Sequence, residues 1–184
     1  MTSLTLLPVV LALLCCSTLC SLGCDLTQGL LEDFLLLSQM STFSHFLPCL
    51  KDMTNFSFPK EAMEGSQLQR KDSTIIVHEM VHLTFTLFSQ NAVPAPWNQT
   101  QLRQLLIGLD HQLEQLESCL VQDVEWEVPS LESENSMMAL KSYFQGIIQY
   151  LQGKGYSRCA WEFTRIEIRR VFLFMSKLTR KFRD

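Results

Sequence analysis

Leu102, Leu106, Leu109, Leu113, Leu116 and Leu120 follow one another at steps of four, three, four, three and four. That spacing lines them up on one side of a helix and gives no coherent face on a strand, whose side chains alternate at every residue. Similar stripes recur along the chain. Leu30, Phe34 and Leu37 predict a helix from Leu30 to about Met40, and Ile76, Met80, Leu83 and Leu87 predict one from about Thr74 to Phe88. Met137, Leu140, Phe144, Ile147 and Leu151 predict a helix from about Asn135 to Gln152, with Gly153 and Gly155 placed to end it. The last runs from about Arg158 to Lys181, its inner stripe formed by Trp161, Ile168, Val171 or Phe172, Met175, Leu178 and Phe182. Asp72 or Ser73 can cap the second helix, and Asn98 or Thr100 the third. No stretch alternates apolar and polar residues over a useful length, so the expectation is an all-α chain of five helices.

The links set the topology. Ser41 to Lys71 is long and holds Pro48, Pro59 and Gly65, whereas Gln90 to Trp97 and Gln152 to Ser157 are short and join antiparallel neighbours. The link from Val121 to Glu134 contains Pro129. A long first crossover joining long helices predicts the up-up-down-down arrangement of a long-chain helical cytokine bundle.

The first residues read as a leader. An apolar run from Leu4 to Leu14 is followed by Ser21 and Gly23, small residues at the −3 and −1 positions for a cut before Cys24. Residues 1–23 are therefore expected to be a signal peptide and 24–184 one helical domain, exported and released. The run is broken at Ser17 and Ser21 and is short for a membrane span. Cys15, Cys16 and Cys20 leave with the leader, and Cys24, Cys49, Cys119 and Cys159 remain. Four widely spaced cysteines in an exported chain predict two disulfides rather than zinc ligation, with three pairings open. Asn55-Phe56-Ser57 and Asn98-Gln99-Thr100 are glycan acceptor sequons.

The net charge of −4 is unevenly spread. Residues 158–184 carry eight Lys and Arg against three acids, while eight acids and no Lys or Arg lie between Gln104 and Leu140. Apolar residues interrupt the basic tail at helical spacing, which points to one cationic helix face rather than nucleic-acid binding or membrane insertion. Arg165, Arg169, Leu173 and Lys177 stand four apart and form a second stripe on the last helix, an exposed leucine among cations.

His78-Glu79-Met80-Val81-His82 reads as H-E-x-x-H, the helical pattern of zinc hydrolases, in which two histidines hold the metal and the glutamate serves as general base. The remainder of such a site is missing. The longer signature needs a glycine and a third histidine where Phe85 and Phe88 stand, and Glu114 or Glu117 would have to supply the other scheme's distant carboxylate. A zinc-dependent hydrolase is thus the alternative reading and not the preferred one. There is no G-x-S-x-G, no phosphate-cradling glycine loop and no C-x-x-C, so neither an enzyme nor a cofactor is expected.

Several stretches resemble the type I interferons, alpha/omega branch: Cys24-Asp25-Leu26, Cys49-Leu50-Lys51-Asp52, Phe56-Ser57-Phe58-Pro59, His78-Glu79-Met80 with Thr84-Phe85 and Leu87-Phe88, Tyr143-Phe144-Gln145, and Tyr156-Ser157-Arg158-Cys159-Ala160-Trp161-Glu162. The last, opening the final helix, is the most specific. The resemblance spans the mature chain in order and absorbs His78-Glu79-Met80 into the family's second helix. It implies disulfides Cys24–Cys119 and Cys49–Cys159. It also implies a monomeric ligand that bridges a two-chain cell-surface receptor, activating receptor-bound kinases, STAT signalling, and antiviral and growth-inhibitory genes. By position, the high-affinity receptor chain would meet Leu50, Met53, Arg165, Ile166, Arg169, Arg170 and Leu173, and the low-affinity chain Phe85 and Lys141. Met53 stands where relatives usually carry Arg, Arg169 where an apolar residue is usual, and Leu106 and Asp110 where aromatics are typical. In these departures the chain is similar to divergent members such as the limitin (zeta) or delta kind, and agonist and decoy readings both stay open.

Overall fold

The structure is a computed structural model and describes residues 26–40, 47–64, 70–89, 96–122 and 130–181. The expected leader, Cys24 and Phe182 lie outside the described residues. Among the described residues five long helices form the bundle: α1 (Thr27–Gln39), α2 (Arg70–Ser89), α3 (Gln99–Gln122), α4 (Leu131–Gly153) and α5 (Arg158–Lys181). The first crossover contributes a 3-10 turn, Leu47–Asp52, and a single α-turn, Lys60–Met63. No strand occurs among the described residues, and none of their helices is long and apolar enough to cross a membrane.

α2 lies at the centre. Ile76, Val77, Met80, Val81, Thr84, Leu87 and Phe88 are all buried, which takes up more than one side of the helix, and it packs against α3, α4 and α5. α1 packs against α5 and α3. Fully burying one Leu, Ile or Phe side chain stabilises the fold by about 1.5–3 kcal/mol. Phe144, Phe172, Leu30, Leu37, Leu105, Leu109 and Leu140 are among the residues that reach that state. At one end Trp97 packs edge-on against Trp161, 5.3 Å between centroids, with Phe88 5.5 Å from Trp97. These contacts join the α2–α3 link to the start of α5.

The helix starts follow the polar groups at hand. Asn98 accepts the Thr100 amide at 2.8 Å, so α3 begins where expected. Ser130 accepts the Ser133 amide at 3.1 Å and starts α4 at Leu131, four residues ahead of the expected Asn135. α2 also starts early, at Arg70, so Asp72 and Ser73 are buried inside it instead of capping it. Asp72 accepts a hydrogen bond from Ser130 Oγ at 2.9 Å, which gives its carboxylate a partner across the bundle. The chain leaves α4 through Gly155 at φ +56° and Tyr156 at φ +54°, and the Tyr156 amide closes onto the Leu151 carbonyl at 2.8 Å. That left-handed pair reverses the chain into α5 within a few residues.

α3 is rotated from the expected stripe. Leu105, Leu109, Gln112, Leu116 and Cys119 are buried, whereas Leu102, Leu106, Leu113 and Leu120 sit half-buried at its flanks. The cause is the close approach of α1. A Cβ on Gly108 would collide with the Asp33 carboxylate, and one on Gly29 would lie 3.4 Å from Gln112 Cγ. The two glycines let the helices approach with Asp33 and Gln112 between them.

Candidate functional site

The crossover is fastened before it presents anything. Cys49 and Cys159 are disulfide-bonded with their Cα atoms 5.3 Å apart, tying the 3-10 turn to the start of α5. Beyond it, Tyr150 Oη donates to the Asp52 carbonyl at 2.8 Å and Lys154 Nζ reaches Asp52 Oδ1 at 3.0 Å. Burial and the Asp52 charge push the Tyr150 hydroxyl up to about 12, so it stays a donor throughout the physiological range. Phe56 stacks edge-on against Tyr150, and Phe58 against Tyr143 and Phe174. With the backbone held this way, Leu50 remains 46% exposed and Met53 67% exposed.

On α5 the expected cationic stripe divides. Arg165 is interior, only 4% exposed. Its Nε and Nη2 bond the Glu162 carboxylate at 3.1 and 2.5 Å, and its Nη1 donates to the Leu37 carbonyl at 2.6 Å. That corrects the expectation that Arg165 is presented to a partner. Glu162, one turn earlier, neutralises it, and the last turn of α1 offers a carbonyl with no intrahelical donor. The Arg165–Glu162 pair is buried and bidentate within α5, and the bond to the Leu37 carbonyl joins α5 to α1. Arg169 is half-buried, its guanidinium carbon 4.8 Å from the centroid of the Phe34 ring. Arg170 is exposed and meets Glu167 Oε2 at 3.2 Å, while the other Glu167 oxygen accepts from Tyr143 Oη at 2.8 Å. Burial, reinforced by the Glu167 charge, drives the Tyr143 hydroxyl far above its ordinary value. Ile166 is half-buried, Lys177 is exposed and Leu173 is 51% exposed.

The remaining expected residues sit elsewhere. Phe85 is half-buried against the core, and exposed Lys141 pairs with Glu79 at 3.6 Å. Asn55 and Asn98 are both exposed, and Asn55 Oδ1 accepts the Ser57 amide at 3.0 Å. Cys119 is disulfide-bonded, while Cys24, its expected partner, lies outside the described residues. Of the H-E-x-x-H residues, His78 lies 3.5 Å from Glu117, His82 is exposed, and Glu79 is engaged by Lys141. Among the described residues no group of three or more His, Cys, Asp or Glu side chains could hold a metal ion.

Two features escaped the periodicity: the buried Asp33–Gln112 contact and the interior placement of Arg165. For the second a signal was present. Both arginines of α5 that bond a carboxylate find it three residues earlier, Glu162 for Arg165 and Glu167 for Arg170.

A five-helix bundle whose long first crossover is stapled to its last helix defines a helical cytokine. Zebrafish interferon 2 shares the fold, with a TM-score of 0.69 and 22% identity over 82% of this chain and 97% of that one. The family model described as the interferon alpha/beta domain matches residues 23–182. Human interferon alpha-16 is 44% identical over 185 residues, 98% of this chain and 97% of the relative. Horse interferon alpha-1 is 43% identical over 168 residues, 89% of this chain and 91% of the relative. The chain belongs to the type I interferon family, and as such it is a cytokine and not an enzyme. The hydrolase reading of the H-E-x-x-H segment is set aside with that assignment.

Proposed function

We propose that the chain is a secreted, monomeric ligand of a two-chain cell-surface receptor. Binding triggers kinase and STAT signalling and so antiviral and growth-inhibitory gene expression. The observation that carries the reading is the pairing of rigid support with apolar exposure: Leu50 sits next to a cysteine bonded to α5, and Leu173 stands on α5 itself. Exposed leucines on a fixed backbone are the anchors a partner can cover at small entropic cost. Around Leu173, Arg170 and Lys177 are exposed on the same helix and suited to an acidic partner surface. Met53, Ile166 and Arg169 complete the high-affinity face. Arg165 leaves that list, because its side chain is spent inside the bundle. Phe85 and Lys141 belong to a second face for the low-affinity chain. Residues 1–23 serve as the signal peptide, Cys24 pairs with Cys119, and Asn98 and Asn55 are the glycan sites.

A reporter of interferon-responsive transcription, run with and without receptor-blocking antibody, tests this directly. Activity that the antibody abolishes is expected. Leu173→Ala and Leu50→Ala should each weaken it with little change in thermal stability. Undiminished signalling by both variants would refute the face, and an inactive parent that blocks signalling by another interferon would make the chain a decoy.

A further inference from the structure

The sequon Asn55-Phe56-Ser57 lies on the crossover, just beyond Met53. Asn55 and Ser57 are exposed, while Phe56 between them is half-buried, its ring edge-on to Tyr150 of α4 with centroids 5.1 Å apart. On the other side of Met53 the Asp52 carbonyl accepts from the hydroxyl of the same Tyr150 at 2.8 Å. One tyrosine thus holds the backbone both before Met53 and after Asn55. Asn55 Oδ1 accepts the Ser57 amide at 3.0 Å, closing a turn in which Ser57 takes a φ of +53°. That bond engages the oxygen of the side-chain amide and not its nitrogen, the atom that carries an N-linked sugar. A sugar chain on Asn55 is therefore rooted at a set place. Residues two apart in sequence have Cα atoms at most about 7 Å apart. The root thus lies beside Met53, 67% exposed, and on the same short segment as Leu50, 46% exposed. These are the two crossover members of the receptor face. Asn98, by contrast, caps α3, none of whose residues belongs to that face.

We propose that an N-glycan on Asn55 regulates the high-affinity face by steric occlusion, the form bearing the sugar being the slower ligand. The proposal rests on the receptor reading above. The modification is a transfer from a lipid-linked oligosaccharyl pyrophosphate. The Asn55 Nδ2–C1 bond forms as the bond from C1 to the pyrophosphate oxygen breaks, Nδ2 loses a proton, and the lipid pyrophosphate leaves. The product is bulky and hydrated and competes with a docking protein for the space above Met53. It removes productive approaches without touching the contacts made after docking, so its effect falls on association.

Mature protein secreted from mammalian cells tests this, with glycan occupancy at Asn55 read by mass spectrometry. Binding to the immobilised ectodomain of the high-affinity interferon receptor chain is followed as association and dissociation rates for the parent, Asn55→Gln, Ser57→Ala and Asn98→Gln. Ser57→Ala is the decisive variant, because it abolishes the sequon yet keeps the backbone amide that Asn55 Oδ1 accepts. A sugar on Asn55 of the parent is expected. Ser57→Ala and Asn55→Gln should each associate about tenfold faster than the parent with dissociation changed by less than about twofold, within the range that variants of one interface span. Asn98→Gln should match the parent. A parent with no sugar on Asn55, or a Ser57→Ala protein that associates no faster, would overturn the proposal while leaving the receptor reading in place. Failure of every form, with and without the sugar, to bind the ectodomain would overturn the receptor reading and this proposal with it.

Discussion

Asp33 is the clearest case of a residue whose cost can be worked out and removed. It is buried where α1 meets α3 and accepts a hydrogen bond from Gln112 Nε2, while Gln112 Oε1 has no partner. Burial pushes its carboxyl from 3.8 up to about 7; the bond from Gln112 opposes the rise and the Glu32 charge adds to it. That rise corresponds to ~4 kcal/mol between the two protonation states at about 1.4 kcal/mol per pH unit. The folded state therefore holds a proton that the unfolded chain releases between 3.8 and about 7. Stability from this residue is fully present below pH ~4 and is lost as pH rises through ~7. Asp33→Asn keeps the shape, cannot ionise, and offers an N–H to the orphaned Gln112 oxygen. At about pH 8 the variant should be more stable than the parent by ~2–4 kcal/mol, a rise in Tm of roughly 5–15 °C for a chain of this size. At about pH 4 the gap should shrink to ~1 kcal/mol or less. Urea denaturation of both proteins across pH, read as their difference so that the other carboxylates cancel, measures it. A variant no more stable than the parent at pH 8, or a gap that widens toward acid, would refute the reasoning.

Other outcomes follow from neighbouring contacts. Gly108→Ala should destabilise the parent, because the new methyl meets the Asp33 carboxylate. The same change in an Asp33→Ala background should cost ~1 kcal/mol less or better, a coupling that a double-mutant cycle reads. Arg165→Ala removes the buried cation that pairs bidentately with Glu162 and should cost about 3–5 kcal/mol in denaturation; Arg165→Met with Glu162→Leu should recover part of it. Removing the Cys49–Cys159 bridge, which closes a loop of 110 residues, should cost about 5 kcal/mol by chain entropy. Non-reducing thermal melts of the Cys49→Ser, Cys159→Ser pair would show a far smaller shift if the turn were held by its other contacts.

Helix existence was legible in the sequence, and α5 was legible to its ends, Arg158 and Lys181. The reason is its strong amphipathic pattern, with Trp161, Ile168, Val171, Phe172, Met175 and Leu178 all buried as expected. What could not be read was how two helices approach. The α3 leucines fix a face only to within the width of a stripe. The choice of Leu105, Gln112 and Cys119 as the innermost residues depends on Gly108 admitting α1, a pairing between residues 75 positions apart in sequence. The early start of α4 was missed for a local reason. Ser130 is an ordinary cap, but residues 131–135 carry too little apolar periodicity to announce a helix, and Leu131 is exposed.

The placement of the arginines on α5 bears on how cationic helices in general are read. Spacing at four residues establishes only that Arg165, Arg169, Leu173 and Lys177 share a face. It does not say whether the bundle covers that face. α1 lies over the first half of it, since the Leu37 carbonyl and the Phe34 ring meet Arg165 and Arg169, and beyond them the face opens at Leu173 and Lys177. A buried cation requires an acid close at hand, and a carboxylate three residues before the arginine supplies one without reference to the fold. Arg165 has Glu162; Arg169 has Ile166 at that position and stacks on an aromatic ring instead. On the proposed receptor face the stripe accordingly opens from half-buried Arg169 onward, to Leu173 flanked by exposed Arg170 and Lys177. Charge reversal at Lys177 should therefore slow receptor association, most visibly at low salt, whereas replacement of Arg165 acts through folding alone.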